Sequence, residues 1–592
     1  MGFPDDLNDP QLRGRAVQAA RGQTPFDLLI TGGIVLDMVT SQFRRADVGV
    51  VGPLIASVHE PADDFAATQT LDATGQVIAP GFIDTHMHVE SSMVTVADYA
   101  EAVVPRGVTT ARWDPHELAN VAGTAGLDYA VAEAQNVPLR LLPLMPTCVP
   151  SAPGYEQSGG DFTPAIVAQW LSRDDIHGAA ELMTMQPLLE GDSRVRGIVQ
   201  AGLDSGKPVC GHARGLVGAD LNGFAAAGIE TDHELTGAAD LLAKLSAGFT
   251  IELRGSHPHL LPELAQALVD LGELPQTVTL CTDDVFPDDL LTKGGLDAVI
   301  RVLIACGLPT VWAYRAATLN AATRIGRMDL GLVAPGRRAD LALLGDLDQV
   351  RVETTIIDGQ IVAQDGQLCQ APPRAPVPEP LRHSMKIAPV TPEAFEVWAR
   401  GPNARIATLC KPRFPQWGER ILPVRDGRVD LPDDMIRMAI QNRHGAGLPM
   451  RVAFLEDWGT WRGAFASSVS HDSHNLTVFG RDPADMAAAA DAVRKAGGGL
   501  AVASGGAVQA VLPLPIAGLM STAPLSDLAH DFAALRATLD RLVDWEPPLL
   551  VFKALFGASL VCNAGPRLSD LGLVDVFEGI LRESCVLEDG LS

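Results

Sequence analysis

The run Val77-Ile-Ala-Pro-Gly-Phe-Ile-Asp-Thr-His-Met-His88 decides how this chain is interpreted. It is apolar over most of its length and ends in two histidines separated by one residue. Side chains alternate across a β-strand, so His86 and His88 would share one face. Two imidazoles delivered to one point by a buried strand are typical of the start of a metal site. A histidine pair without a metal is the alternative, and the rest of the chain decides between the two.

The composition is that of a folded globular protein without a nucleic-acid partner. Of the 592 residues 47% are hydrophobic, and the formal net charge is −27. A field of this sign repels phosphate backbones and suits a small neutral or cationic ligand. The eight cysteines form no C-x-x-C pair and the N-terminus has no apolar signal segment. These features predict a cytoplasmic location, and the sequence leaves room for a homo-oligomer.

One uncharged stretch, residues 496–526, is long enough to suggest a membrane span. Glycine and proline residues interrupt it, and the pair Gly505-Gly506 separates two apolar runs. We therefore predict a buried β-hairpin with strands at 500–504 and 507–512, and no membrane partner.

Short apolar segments along the rest of the chain indicate its strands and domains. Those at 26–78 and 332–365 predict one small β domain assembled from both sides of a long middle region. In the middle region strands alternate with helical patterns, which favours parallel strands with helical crossovers. The eight strand candidates lie near Ile78, Thr109, Leu142, Ala179, Val209, Ile229, Ile251 and Leu280. Eight βα units in this length favour a (β/α)8 barrel over a doubly wound sheet.

The predicted fold is therefore α/β, with a TIM-like barrel, a split small β domain and an additional C-terminal α/β domain. The small domain comprises residues 1–76 and 330–366, and the barrel comprises residues 77–329. A proline-rich linker at 367–392 precedes the C-terminal domain at 393–592. In that domain we predict a helix at 483–495 that stops before Gly497.

Ionisable residues follow the predicted barrel strands at equivalent positions. They are His86, His88, Asp114, His116, Glu117, Glu181, His212, His233, Glu234, Asp283 and Asp284. The strand ends of a barrel converge on one face, so these side chains would meet there. Buried carboxylates and imidazoles at such density are costly without a cation.

A centre of two divalent ions would offset the cost of burying all these side chains, and the Glu181 side chain is long enough to bridge the two ions. Histidine and carboxylate ligands without thiolate suit zinc, manganese or iron(II). Water bound by such ions has a pKa near neutrality and supplies hydroxide. Asp283 could accept its proton and pass it to a leaving group, which predicts hydrolysis at an sp² carbon. Glu181 and Glu234 are the further catalytic candidates.

These residues resemble those of the amidohydrolase superfamily, and more narrowly of the bacterial adenine deaminases. The stretches that carry the resemblance are Pro80–Met93, Asp114–Val121, Thr231–Glu234, Cys281–Asp284, His471–Asn475 and Leu514–Met520. Many amidohydrolases place a lysine on strand 4, whereas adenine deaminases resemble this chain in using a glutamate, here Glu181.

The resemblance implies a ligand set, a reaction and a purine substrate. The implied metal ligands are His86, His88, Glu181, His212, His233 and Asp283. The implied reaction is attack of hydroxide on C6 of adenine, giving hypoxanthine and ammonia. The candidates for the substrate pocket are Glu90, His116, Arg254, Asp284, Phe286, His471 and His474.

Four segments depart from the family pattern, and we expect all four to face the substrate. They are Arg112-Trp113, Leu182–Pro187, Leu253–His257 and Val285-Phe286. A modified pocket leaves three alternatives open: another 6-substituted purine such as N6-methyladenine, another aminated heterocycle, or a cyclic amide. A non-catalytic purine-binding protein is the alternative from another class.

Overall fold

The run that ends in the two histidines forms two strands, which belong to different sheets. The structure is a computed structural model that describes residues 5–62, 64–412, 414–545 and 551–591. Val77–Pro80 pairs with Leu341–Asp346, outside the barrel, and only Phe82–Met87 enters the barrel. The prediction of a first barrel strand near Ile78 is therefore wrong. Gly81 separates the two strands, and its N–H donates to the Asp340 carbonyl at 2.8 Å.

The middle of the chain forms a barrel of eight parallel strands. In chain order these are β1 (Phe82–Met87), β2 (Val108–Trp113), β3 (Arg140–Pro143), β4 (Ala179–Leu182), β5 (Val209–Gly211), β6 (Thr231–Asp232), β7 (Thr250–Arg254) and β8 (Val278–Cys281). Ile229, expected within the sixth strand, precedes it. The strands pair in parallel in three groups: β1 with β2 and β2 with β3; β4 with β5; and β6 with β7 and β7 with β8. This pairing confirms the prediction of a TIM-type barrel.

Short contacts close the ring between these three groups. Met145 beside β3 bridges to Ala179 of β4, and the Glu230 N–H donates to Val209 of β5 at 3.1 Å. Met87 of β1 bridges to Asp283 after β8. The carboxyl ends of all eight strands therefore open on one face.

Helices surround the barrel and bury their apolar faces against it. In the helix Leu296–Ala305, residues Leu296, Val299, Ile300 and Leu303 are buried at helical spacing. The other α-helices of this region are Val96–Val103, His116–Ala122, Thr124–Ala134, Pro164–Leu171, Met185–Glu190, Ser193–Ser205, Gly218–Ala226, Ala238–Ser246, Leu261–Leu271, Pro287–Thr292, Thr310–Arg315 and Ala321–Arg324.

Two further sheets lie beside the barrel: one uses strands that precede it, and the other combines strands from before and after it. The four-stranded sheet has the order Leu54–His59, Asp47–Val51, Phe26–Thr31, Ala67–Asp72. The seven-stranded sheet has the order Gln367–Leu368, Gln360–Gln364, Arg351–Ile357, Leu341–Asp346, Val77–Pro80, Ile34–Asp37, Gln42–Arg45. The helix Pro10–Ala20 accompanies the first sheet, and its N-cap Asp9 accepts from the Gln11 and Leu12 N–H groups.

The C-terminal region, residues 393–591, is built on a ten-stranded sheet. Its strands are Asn403–Cys410, Gln416–Arg425, Arg428–Val429, Met435–Gln441, Arg451–Glu456, Ala464–Ser467, Leu476–Gly480, Gly499–Ser504, Ala507–Pro513 and Val586–Leu591. Short strands lie at Thr460–Trp461, Val543–Asp544, Arg567–Leu568, Leu573–Asp575 and Ile580–Arg582, and α-helices at Pro483–Ala496, Leu525–Leu542 and Val551–Phe556.

Two local predictions for this region are confirmed. The uncharged stretch contains the hairpin Gly499–Ser504 and Ala507–Pro513, whose turn glycines have φ of 64° and 74°. The predicted burial is correct for the first strand but wrong for the second, which is mostly exposed at the edge of the sheet. The helix Pro483–Ala496 ends at Gly497, which has φ of 79°. Among the described residues, no helix has the length and apolar character needed to cross a bilayer.

The proline-rich segment that precedes this region is anchored to it. It contains the short helix Glu379–Arg382, in which Leu381 is buried. The Leu381 carbonyl accepts from the Ala517 N–H at 2.7 Å, and the Lys386 N–H donates to Arg443 at 2.9 Å. The segment therefore behaves as a strap with fixed contacts along its course.

We expect Gly81→Ala to lower the free energy of unfolding by about 1–3 kcal/mol, because the added methyl group would overlap the Thr109 side chain. The thermal unfolding midpoint is the measurement. Gly14→Ala is the control, since Gly14 lies in the helix Pro10–Ala20 with open space around it. That change should keep or raise the midpoint. Equal midpoints for wild type and Gly81→Ala would contradict the steric requirement.

Candidate metal centre

Strand β1 delivers both histidines of the His-x-His pair to the open face of the barrel. His86 and His88 are buried, and their ring centroids are 4.7 Å apart. The Nδ1 of His88 lies 2.9 Å from the Asp114 carbonyl, to which it donates. This bond leaves the Nε2 of His88 directed at the centre of the site.

Glu181 at the end of β4 places its two oxygens against different pairs of imidazoles. Its Oε1 lies 3.6 Å from His86 Nε2 and 3.5 Å from His88 Nε2. Its Oε2 lies 2.7 Å from His212 Nδ1 and 3.4 Å from His233 Nε2. The carboxylate therefore stands between two sets of nitrogen donors.

Asp283, after β8, completes the first set. Its Oδ1 lies 3.9 Å from His86 Nε2 and 3.5 Å from His88 Nε2. Its Oδ2 accepts hydrogen bonds from Arg254 Nη1 at 3.0 Å and Ser256 Oγ at 2.7 Å. One oxygen thus faces the imidazoles, and the other is held in place from behind.

The donor atoms fit divalent ions in kind and in spacing. Two ligand atoms about 2.1 Å from one ion are roughly 3.0–3.4 Å apart, and most of these separations are close to that range. Within the described chain, the buried His86 Nε2 has no hydrogen-bond partner, and neither do His212 Nε2 and His233 Nδ1, which are the ring nitrogens that do not face Glu181. The clusters contain histidine, aspartate and glutamate without cysteine. Such a set suits zinc, manganese or iron(II).

The charges of the two central carboxylates agree with this arrangement. Burial disfavours ionisation of Glu181, but His233 and His212 outweigh it and hold its pKa well below the ordinary value. Burial likewise opposes ionisation of Asp283, whereas His88 and Arg254 hold its pKa well below the ordinary value. Both groups are anionic at neutral pH, the form that binds a cation.

Glu234, expected among the catalytic residues, forms ion pairs with two guanidinium groups. Arg254 Nη2 donates to Glu234 Oε2 at 2.8 Å, and Arg254 Nη1 pairs with Glu234 Oε1. Arg214 Nη1 donates to the same carboxylate at 2.5 Å. Despite burial, the two arginines hold the pKa of Glu234 well below its ordinary value. Glu234 therefore orients Arg254, which in turn contacts Asp283.

A cavity of about 260 Å³ opens above these groups. Of the predicted pocket residues, it is lined by His116, Arg254, Asp284, Phe286 and His471.

Glu90 and His474 are absent from the cavity wall. Glu90 accepts from Trp113 Nε1 at 2.7 Å, and His474 Nδ1 accepts from the Ser470 N–H at 3.1 Å. Both candidates are buried and bond to residues that do not line the cavity.

The expectation that Arg112 and Trp113 face the substrate is wrong. Arg112 is 1% exposed and lies against Gly178, where an added Cβ would stand 2.7 Å from Arg112 Nη2. Gly178 therefore provides the space that this large side chain occupies inside the barrel. Of the other departures, Met183, Arg254, His257 and Phe286 do line the cavity.

The C-terminal region supplies lining residues that the sequence interpretation missed. Lys553, Asn563 and Arg567 line the cavity together with Asp472, which lies in the segment His471–Asn475. Arg214 and His257 of the barrel also line it. The available signal was Lys553, a single charge in the otherwise apolar run Val551–Phe556. Nothing in the sequence marks Asn563 or Arg567.

Comparison with known proteins identifies relatives along the whole chain. The model of the amidohydrolase family matches residues 77–362, and that of the adenine deaminase C-terminal domain matches residues 414–579. Adenine deaminase 2 of Rhizobium etli is 57% identical over 586 residues, covering 99% of this chain and 98% of that protein. The adenine deaminase of Klebsiella pneumoniae is 48% identical over 572 residues, covering 96% and 95%. A solved D-aminoacylase structure covers 58% of this chain and 98% of its own, with 16% identity and a TM-score of 0.44.

Identity of this extent covers both the barrel that carries the donor cluster and the C-terminal region that roofs it. The chain belongs to the adenine deaminase family, and its barrel to the amidohydrolase family.

Proposed function

We propose that this protein is a metal-dependent deaminase that converts adenine and water to hypoxanthine and ammonia. The observation that carries the proposal is the position of Glu181 between two pairs of imidazoles, in a chain 57% identical to an adenine deaminase. The cavity of about 260 Å³ is below the size typical of drug-sized ligands and suits a single heterocycle.

We assign two divalent ions, manganese, iron(II) or zinc, to the donor cluster. The assigned ligands are His86, His88, Glu181, His212, His233 and Asp283. When bound, such ions lower the pKa of water to near neutrality and so supply a nucleophile at physiological pH. The charged state of Glu181 and Asp283 and the unpartnered Nε2 of His86 support this assignment.

Asp283 is the proposed carrier of the proton in the reaction. It accepts a proton from the attacking water as the new C6–O bond forms. It then gives that proton to the amino nitrogen as the C6–N bond breaks, and ammonia leaves. Arg254 and Ser256 keep Oδ2 of Asp283 fixed through both transfers, and Glu234 fixes Arg254.

We propose that Asp284, Phe286 and His471 contact the purine ring, since all three line the cavity above the donor cluster. We keep the predicted order of segments as the proposed domain organisation, but assign Val77–Pro80 and Gln367–Leu368 to the small β domain, because both pair within the seven-stranded sheet. A cytoplasmic location is also proposed, and the eight unpaired cysteines support it.

The direct test is release of ammonia from adenine, with the absorbance change that accompanies formation of hypoxanthine. N6-methyladenine is the comparison substrate, and it would release methylamine. Turnover of N6-methyladenine without turnover of adenine would overturn the proposed substrate while leaving the reaction class intact.

We expect Asp283→Asn to lower kcat for adenine by about 10²- to 10⁴-fold, because an amide cannot accept and return the proton. Turnover is measured per bound metal ion, so that loss of metal is not mistaken for loss of the proton carrier. Asp270→Asn is the matched control and should keep wild-type turnover, because Asp270 is exposed on the helix Leu261–Leu271 and accepts a hydrogen bond from Gln266. Wild-type turnover in Asp283→Asn would remove Asp283 from this role.

We expect Glu181→Gln to lower the bound metal from about two ions per chain to one or fewer, because a neutral amide cannot serve two cations equally. Elemental analysis after gel filtration is the measurement. Glu190→Gln is the control, since Glu190 is exposed at the end of the helix Met185–Glu190 and accepts a hydrogen bond from Gln186. Two bound ions in Glu181→Gln would contradict the bridging assignment.

A further inference from the structure

The C-terminal region covers the cavity with a segment that carries two positive charges. Lys553, Phe556, Leu560, Asn563 and Arg567 line the cavity from this side, and we call them the cavity roof. The opposite wall belongs to the barrel and holds the carboxylates of the donor cluster. The two cations of the roof play no part in the proposed deamination.

Arg567 is the buried cation of this roof. Its side chain is 7% exposed, yet it forms no ion pair within the described chain. Its single hydrogen bond runs from Nη1 to the carbonyl of the neighbouring Pro566, at 3.1 Å. A guanidinium group has five N–H donors, so most of this one's hydrogen-bonding capacity is unused.

Arg214 and Asn563 offer further donors near Arg567, whereas Asp575 acts on it with the opposite charge but forms no ion pair with it among the described residues. Arg214 also lines the cavity and acts on Arg567 with the same sign of charge. Burial lowers the pKa of Arg567 to about 10. Arg214 acts in the same direction, and the Cys562 thiol and Asp575 act against it, so Arg567 remains charged at neutral pH. The amide of Asn563 is adjacent in the roof, and its buried Oδ1 has no partner among the described residues. Rotation of this amide would present its NH₂ group instead.

The other arginines of the cavity are neutralised. Arg254 is paired with Glu234 and Asp283, and Arg214 with Glu234. An uncompensated buried charge destabilises a protein, because desolvation is not offset by a partner. Arg567 faces a cavity, so its counter-charge can arrive with a ligand.

We propose that the cavity roof contains an oxyanion subsite, centred on Arg567, that binds a phosphate group beside the heterocycle. The guanidinium group of Arg567 would donate hydrogen bonds to two phosphate oxygens, and Arg214 and Asn563 would donate further hydrogen bonds to the phosphate. The position of the phosphate relative to a purine rests on the proposed function, whereas phosphate binding itself does not.

The phosphate can belong to inorganic phosphate or to a purine nucleotide, and two experiments separate these sources. Calorimetric titration of the metal-loaded enzyme with inorganic phosphate tests the shared chemistry. Titration with adenosine 5′-monophosphate tests the nucleotide. If free phosphate is the occupant, phosphate and adenine bind together. If a nucleotide is the occupant, the monophosphate displaces adenine and phosphate in competition.

We expect Arg567→Gln to weaken phosphate binding at least tenfold, as loss of one charge-assisted, two-pronged contact implies. Arg567→Lys keeps the positive charge but loses the planar guanidinium group, so its phosphate affinity should lie between those of Arg567→Gln and wild type. Arg541→Gln, an exposed arginine of the helix Leu525–Leu542, is the matched control and should bind phosphate as wild type does.

Unfolding measurements separate this role from a structural one. Without phosphate, removal of an unpaired buried charge should leave the melting temperature of Arg567→Gln unchanged or higher, and phosphate should stabilise only the wild type. Equal phosphate affinity in wild type and Arg567→Gln, as binding on the metal ions would give, overturns the subsite. So does an absence of phosphate binding in wild type. Adenine turnover in the same preparation tests the proposed function separately.

Discussion

The carboxylate of Glu181 is the constraint on which the rest of the site depends. Its two oxygens face nitrogen atoms from opposite parts of the barrel, His86 and His88 on one side and His212 and His233 on the other. No single strand or local segment can supply both pairs. The site therefore exists only when the ring of strands is closed, and the bridge between Met87 and Asp283 closes it beside the cluster.

Closure of the barrel depends on the division of the apolar run 77–88 into two strands that belong to different sheets. Val77–Pro80 is fixed in the seven-stranded sheet by Leu341–Asp346, and Gly81 lets the chain pass directly into Phe82–Met87. The histidines are thereby positioned from both ends, by the outer sheet and by the barrel. Gly81 is needed at this division because β2 approaches the chain closely there, and an added Cβ would overlap the Thr109 side chain.

The parts of the site that the sequence could predict are those set by local periodicity. His86, Glu181, His212 and Asp283 each follow a short apolar strand, and the barrel topology then brings strand ends together. Arg112 shows the limit of this reasoning, because it stands in β2 beside residues of the site and yet points into the barrel, where Gly178 makes room. Lys553 and Arg567 could not be placed at all. Their position over the cavity depends on the packing of the C-terminal region on the barrel, which leaves no periodic trace in sequence.

That packing makes the C-terminal region part of the site. Arg536 of the helix Leu525–Leu542 lies 5.8, 5.0 and 5.2 Å from the ring centres of Phe286, Phe532 and Phe552. It also pairs with Asp288 at 3.2 Å, beyond the loop that follows β8. A cation held between aromatic faces and a carboxylate resists sliding, because any displacement loses both contacts. The floor that carries Asp283 and the roof that carries Lys553 are thus fixed to each other through Phe286, so the shape of the cavity is set by both regions jointly.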